Sequence, residues 1–319
     1  MANPMAKAMA NSSDNWQLNT PIALIIFNRP DTTERVFAAI AQAKPPVLLV
    51  VADGARTHRA GEAEKCAATR AIVDRVDWDC KVLTNYSETN LGCKKRVASG
   101  LDWIFEQVPE AIILEDDCLP DPSFFRFCEE MLERYRDDER ISMISGDNFQ
   151  FGRQHGDASY YFSRYTHIWG WASWRRAWKG YDKDIALWPT VRDNERLDGI
   201  VSNKKEKRYW TKIFEKTFQG KIDTWDYQWM FHSWINGRIA IVPNVNMISN
   251  IGFGVEATHT RGASIYSCMD VEAMQFPLQH PKIMLASAAA DSYTAATNFN
   301  ANVFFRVIRK IQSILMQKK

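Results

Sequence analysis

The sequence lacks any apolar run long enough to cross a bilayer, any cysteine pair in CxxC spacing, and any strong excess of charge. A spanning helix needs about 20 consecutive apolar residues, and residues 1–20 mix small and polar types without a signal-peptide core. They are expected to be a loose leader on a cytoplasmic protein. The six cysteines, Cys66, Cys80, Cys93, Cys118, Cys128 and Cys268, fit neither a zinc site nor a secreted disulfide framework, which points to a reducing compartment. No GxxxxGK(S/T) loop occurs, and no GxGxxG turn follows the first apolar run, which disfavours P-loop enzymes and dinucleotide dehydrogenases. A net charge of +2, with no long basic run in the first 300 residues, removes the electrostatic argument for nucleic acid as a partner. Internal repeats and low-complexity tracts are absent too.

What is present is the composition of a folded protein, 46% hydrophobic and 24% charged, in a chain long enough for one large domain of two joined lobes. The apolar run 22–27 reads as a buried strand ending in the turn Asn28-Arg29-Pro30. Asp31, with Glu34 three residues on, reads as the N-cap of a helix whose face is Val36, Phe37 and Ile40. Strands are expected at 47–51, 81–84, 111–114 and 141–144, separated by helices ending near Val76 and over 94–107 and 123–135. Strands alternating with crossover helices imply an α/β fold with a mainly parallel sheet flanked by helices. In such sheets ligands bind beyond the C-terminal strand ends, which is where Asn28, Arg29, Asp53 and Glu115-Asp116-Asp117 fall. The second half is less regular and holds nine of the twelve tryptophans. Such rings fill cores, and they also pack against sugar faces.

Three successive carboxylates at a strand end repel one another, and a cation relieves the repulsion. Oxygen-only ligands with open positions suit Mg²⁺ or Mn²⁺ carrying a diphosphate; a solvated acidic turn is the plainer alternative. Asp226, flanked by Trp225, Tyr227 and Trp229, is the candidate general base, against the alternative of a helix-capping Asp. His259 is a candidate metal or phosphate contact. Lys94, Lys95 and Arg96 are candidate phosphate contacts or plain solvated charges. The segment 304–319 is a basic amphipathic helix that suits either the inner face of an anionic membrane or docking on its own domain.

Taken in order, Asn28-Arg29, Asp53, Ile112-Ile-Leu-Glu-Asp-Asp117, Asp121-Pro-Ser-Phe-Phe125, Gly146-Asp-Asn148, Gly170-Trp171, Trp225-Asp226 and Ile251-Gly-Phe-Gly254 with His259 resemble the nucleotide-diphospho-sugar transferases of GT-A fold, within them the N-acetylglucosaminyltransferase I type. The resemblance covers roughly residues 21–262. It departs in spacing Trp225 and Trp229 one residue wider than the family motif, and in lacking the family's membrane anchor, so a Golgi setting does not carry over. It implies a GT-A, Rossmann-like domain with a nucleotide-sugar-binding half over 21–150, a Trp-rich acceptor-side half over 151–265, and an extension over 266–319. It further implies that Asp117 and His259 hold the metal, that Asp226 and Glu115 act at the reacting centre, and that Asn28, Arg29, Asp53, Lys94, Asp116, Gly170 and Trp171 contact the nucleotide-sugar. The function implied is an inverting, Mn²⁺- or Mg²⁺-dependent transfer from a UDP-linked or similar donor to a glycan or lipid-linked glycan, in polysaccharide biosynthesis. The competing readings are a metal-dependent phosphohydrolase and an inactive glycan-binding protein.

Overall fold

The computed structural model describes residues 16–253, 266 and 268–299. His259 and the basic segment 304–319 lie outside the described residues. The first half alternates as expected. Strand β1 (Ile22–Ile26) is buried along its whole length, as a strand covered on both faces must be. Helix α1 (Pro30–Ala43) follows at once, with Val36, Phe37 and Ile40 on its buried face. Its start corrects the expected cap: Arg29 occupies the N-cap position without a side-chain cap, and Asp31 lies inside the first turn. Pro30 has no N–H to satisfy and a preset φ, so it takes the first helical position and moves the start forward.

Then come β2 (Val47–Ala52), α2 (Glu62–Ala71), β3 (Lys81–Tyr86), α3 (Gly92–Gln107), β4 (Glu110–Glu115), β5 (Cys118–Pro120), α4 (Ser123–Arg134) and β6 (Ile141–Ser145). The second half supplies β7 (Tyr160–Ser163), β8 (Trp171–Trp174), the short helices α5 (Arg175–Trp178) and α6 (Trp188–Asp193), α7 (Lys204–Phe218), α8 (Asp226–Ile235), β9 (Ile239–Pro243), β10 (Ile248–Asn250) and α9 (Ala288–Thr294).

One eight-stranded sheet runs β3-β2-β1-β4-β8-β6-β9-β7. The pairs among β3, β2, β1 and β4 are parallel, and so is β6 with β9. The short β8 is wedged antiparallel between β4 and β6, and β7 closes the far edge antiparallel to β9. The fold is therefore α/β and Rossmann-like, a mostly parallel sheet flanked by helices. Both halves of the chain share it. A second apolar cluster, built on Trp188, Trp210, Phe214 and Trp234, holds α6, α7 and α8 together. Trp171, Trp174, Trp188, Trp210, Trp225 and Trp229 are all fully buried, so most of the tryptophan excess is core.

Candidate active site

Parallel strands present their C-terminal ends at one edge of the sheet, and there a cavity of ≈520 Å³ opens. Arg29 reaches it from the turn after β1, Asp53 from the end of β2, and Glu115, Asp116 and Asp117 from the end of β4. The opposite wall comes from the second half: Trp169, Asp223 to Asp226, and Gly252-Phe253. Residues more than 100 positions apart thus face one space.

The acidic triplet meets an internal cation. Arg29 pairs through Nη2 with Asp116 and through Nη1 with Asp117 Oδ2 at 2.8 Å. The Phe27 N–H donates to Asp116 Oδ2 at 3.2 Å. Burial works against the Arg29 charge, but Asp116, Asp117 and Glu115 outweigh it and raise its pKa. Burial pushes the Glu115 and Asp116 carboxyls up as well, with Asp117 repelling both and Arg29 offsetting only part of the rise. One guanidinium among three acids leaves the strand end short of positive charge. Gly252 covers the pair so closely that a Cβ there would lie 2.1 Å from Asp117 Oδ2. The Ile251 N–H fastens this segment to the Asp117 carbonyl at 2.8 Å.

Asp53 lines the cavity, yet its carboxylate is taken. Oδ1 accepts from the Gly54 and Leu91 N–H groups, each at 2.9 Å, and Oδ2 from Gly92 N and Asn90 Nδ2, each at 3.0 Å. It staples the start of α3 to β2. Asp223 adds to this from the other half, its Oδ1 accepting from Lys94 N at 3.1 Å. Two carboxylates so occupy the helix N-terminus, where backbone donors are otherwise unsatisfied.

Along α3 the inner face is Cys93, Arg96, Val97 and Gly100, at i, i+3, i+4 and i+7. Arg96 lines the cavity and donates to Ala52 O at 3.1 Å. Lys94 does not line it: its Nζ pairs with Asp184 Oδ1 at 3.0 Å. Asn28 also stands aside, donating to Glu62 Oε1 at 2.9 Å. Glu62 is held down to about 2 mainly by hydrogen bonds from Arg56, a cavity residue that the sequence reading passed over.

Asp226 is the first residue of α8 and accepts a hydrogen bond from Thr224 Oγ1. Trp225 beside it stacks on Trp171 with ring centroids 5.5 Å apart. Trp171 is thus behind the wall and Gly170 lies off it, its carbonyl accepting from Gly146 N at 2.7 Å. Gly170 sits at φ +62°, where a side chain would strike Ile248. Trp169 is a further ring on the cavity wall, edge-on to Phe253 at 5.6 Å. Its only sequence signal was adjacency to Gly170-Trp171.

Among the described residues no three His, Cys, Asp or Glu side chains are grouped to hold a metal ion. The donor set is nevertheless of the kind Mg²⁺ and Mn²⁺ use, one or two carboxylates completed by substrate phosphate and water. Asp117 fits it, because Arg29 engages Oδ2 while, among the described residues, Oδ1 meets only the weak Cys118 thiol at 3.5 Å.

Fold and site together define a Rossmann-like α/β protein with an acidic strand end facing an open cleft. No family model matches the chain, and no curated protein does. Solved structures do. A 4-diphosphocytidyl-2C-methyl-D-erythritol synthase from Anaerococcus prevotii is 10% identical over 70% of this chain and 88% of its own, with a TM-score of 0.36. A UDP-glucose pyrophosphorylase complexed with UDP-glucose is 10% identical over 70% and 89%, with a TM-score of 0.31. Mouse xyloside xylosyltransferase 1 is 11% identical over 67% and 81%, with a TM-score of 0.32. Likenesses this distant carry no argument about activity. Among the described residues no helix is long and apolar enough to cross a membrane.

Proposed function

We propose that this chain is a glycosyltransferase of the GT-A type, moving a sugar from a UDP-linked or similar donor to a hydroxyl of a glycan or lipid-linked glycan with inversion at the anomeric carbon. The observation that carries the reading is the convergence of Glu115, Asp116, Asp117 and Arg29 with Asp226 on one cavity, from opposite halves of the chain. A nucleotidyl diphosphate needs positive charge where its oxygens depart, and a sugar acceptor needs a base on the other side of the anomeric carbon.

Arg29, Arg56 and Arg96 are cations of the chain on the cavity and would attract the diphosphate. Asp226 would accept the acceptor hydroxyl's proton as that oxygen bonds to the anomeric carbon and the sugar–phosphate bond breaks. Thr224 and the Trp225–Trp171 stack hold Asp226 in place. A divalent cation held by Asp117 would supply Lewis-acid stabilisation of the leaving diphosphate. Glu115 stands beside it, facing the donor sugar in this reading.

The test is a thermal-shift series with nucleotides and nucleotide-sugars, with and without Mn²⁺, on wild type, Asp117→Ala and Asp226→Asn. A ligand at 100 times its Kd stabilises by about 2.7 kcal/mol. The expected result is metal-dependent stabilisation by a nucleotide-sugar that Asp117→Ala loses and Asp226→Asn keeps, with transfer abolished in both. Absence of stabilisation by every nucleotide would overturn the reading. Phosphate release untouched by Asp226→Asn would point to a phosphohydrolase instead.

A further inference from the structure

Helix α7 presents Lys204, Arg208, Lys212 and Lys216 at successive i, i+4 positions, all exposed. Like charges at this spacing destabilise a helix by roughly 0.2–0.5 kcal/mol per pair. Over residues 203–221 seven basic residues stand against two acidic ones, in a chain whose net charge is only +2. Both acids are paired off the stripe, although Glu215 also lines the groove beside it. Glu206 is buried against Arg164 and Tyr165, and Glu215 accepts from Arg192 and Trp188. Some exposed cations on other elements are matched, as Arg75 with Glu34 and Arg140 with Asp138. Among the described residues, no ion pair involves the four cations of the stripe. A groove of ≈560 Å³ runs alongside, lined by Lys204, Lys207, Arg208, Thr211 and Lys212 together with the ion-paired Arg192 and Glu215.

The stripe leads to the cavity. At the end of α7 the Lys221 N–H donates to the Lys216 carbonyl at 2.9 Å, folding Lys221 back beside the last cation. Asp223, two residues on, belongs to the cavity wall and can lie no more than about 7 Å from Lys221 along the chain. In the other direction Lys204 is about 18 Å from Lys216 at 1.5 Å per residue. A cationic track of that length, winding about a third of a turn around α7 and beginning near the wall that carries Asp226, matches an extended polyanion whose end enters the cleft.

We infer that α7 is the acceptor-binding track and that the acceptor is a negatively charged glycan chain, bearing carboxylate or phosphate groups along its length. The inference rests on the glycosyltransferase reading for the word acceptor, while the anion-binding track rests on α7 alone. Charge attraction of this kind is screened by salt, so binding should weaken steeply as ionic strength rises.

The full chain is titrated with a labelled oligogalacturonate, with dextran of equal length, with phosphatidylglycerol vesicles and with single-stranded DNA, at several NaCl concentrations. The expected result is salt-sensitive binding of the oligogalacturonate, none of dextran, and at least tenfold weaker binding by the variant carrying Gln at positions 204, 208, 212 and 216. If that variant fails to fold by circular dichroism, Arg208→Glu and Lys212→Glu singly are expected to weaken binding in the same direction. Equal binding by wild type and variants, no binding of the acidic glycan, or stripe-dependent binding only of vesicles or DNA would overturn the inference. Nucleotide-sugar stabilisation is expected unchanged in these variants. Its absence from wild type would sink the enzyme reading alone.

Discussion

Asp147 is buried just beyond β6, with neither carboxylate oxygen closing a hydrogen bond. Its own N–H and that of Trp169 favour the charged form, but burial outweighs them and drives its pKa well above 3.8. A carboxyl raised on folding stays protonated in the native chain while the unfolded chain releases its proton above pH 3.8. Stability from this group is therefore full at low pH and is lost as pH rises toward the folded value, by up to about 1.4 kcal/mol per pH unit. Asp147→Asn removes the ionisation and keeps the shape. Its urea-unfolding free energy is expected to gain on wild type between pH 5 and pH 7, and parallel pH profiles would refute the assignment. The sequence marks Asp147 only as part of a motif, because burial without a partner is invisible in residue order. The same limit governs the cleft. Arg29, Asp53 and the acidic triplet are legible there as strand-end polar residues, but that Arg29 serves the triplet, and that Asp53 is spent on four internal donors, depends on which turns pack together.

At the scale of elements, strands buried on both faces announce themselves as unbroken apolar runs, which is why β1, β2 and β4 could be read directly, while β6 carries Ser142 inside its run. Strands β7 and β8 are four residues each and carry Tyr, Phe and Trp, which fill a helix or loop core as readily as a sheet, so their pairing is fixed by tertiary context. Helix α3 shows the same division. Its apolar spacing gave the helix, yet a step of two residues, about 200° around the axis, decides that Arg96 faces the cavity and Lys94 faces Asp184. What fixes the start of α3 is the pair of carboxylates from Asp53 and Asp223, the second crossing from the other half of the cleft. Asp223→Ala should cost about 1 kcal/mol, the usual loss for a helix N-terminal acceptor. Because Asp223 also ties the segment bearing Asp226 to α3, transfer should fall more than tenfold, while Asp223→Asn, which keeps an acceptor oxygen, retains most of both. Equal activity in wild type and the Ala variant would show that the tie is dispensable.

Across the whole molecule, the boundary near residue 150 separates sequence character and not structure. β6 is the last strand before it, and its two sheet neighbours, β8 and β9, both come after it. β4 likewise pairs with β8, and the apolar core runs without a break from Leu18 to Leu278. A fragment ending at residue 150 would leave β6 with no partner strand and β4 with one bare edge, exposing Ile141, Met143 and Ile144, all buried in the intact chain. Each of those side chains contributes roughly 1.5–3 kcal/mol when buried, so the three together approach the 5–15 kcal/mol by which a whole domain is stable. The 1–150 fragment is therefore expected to be unfolded or aggregated when made alone, and the full chain to unfold in one step. Coincident urea transitions by tryptophan fluorescence, which reports mainly the second half, and by far-ultraviolet circular dichroism, which reports both, would bear this out. Two separated transitions would mean that the cleft lies between units able to move independently, and the convergence of Arg29, Asp117 and Asp226 on one cavity would then depend on their docking as well as on their folding.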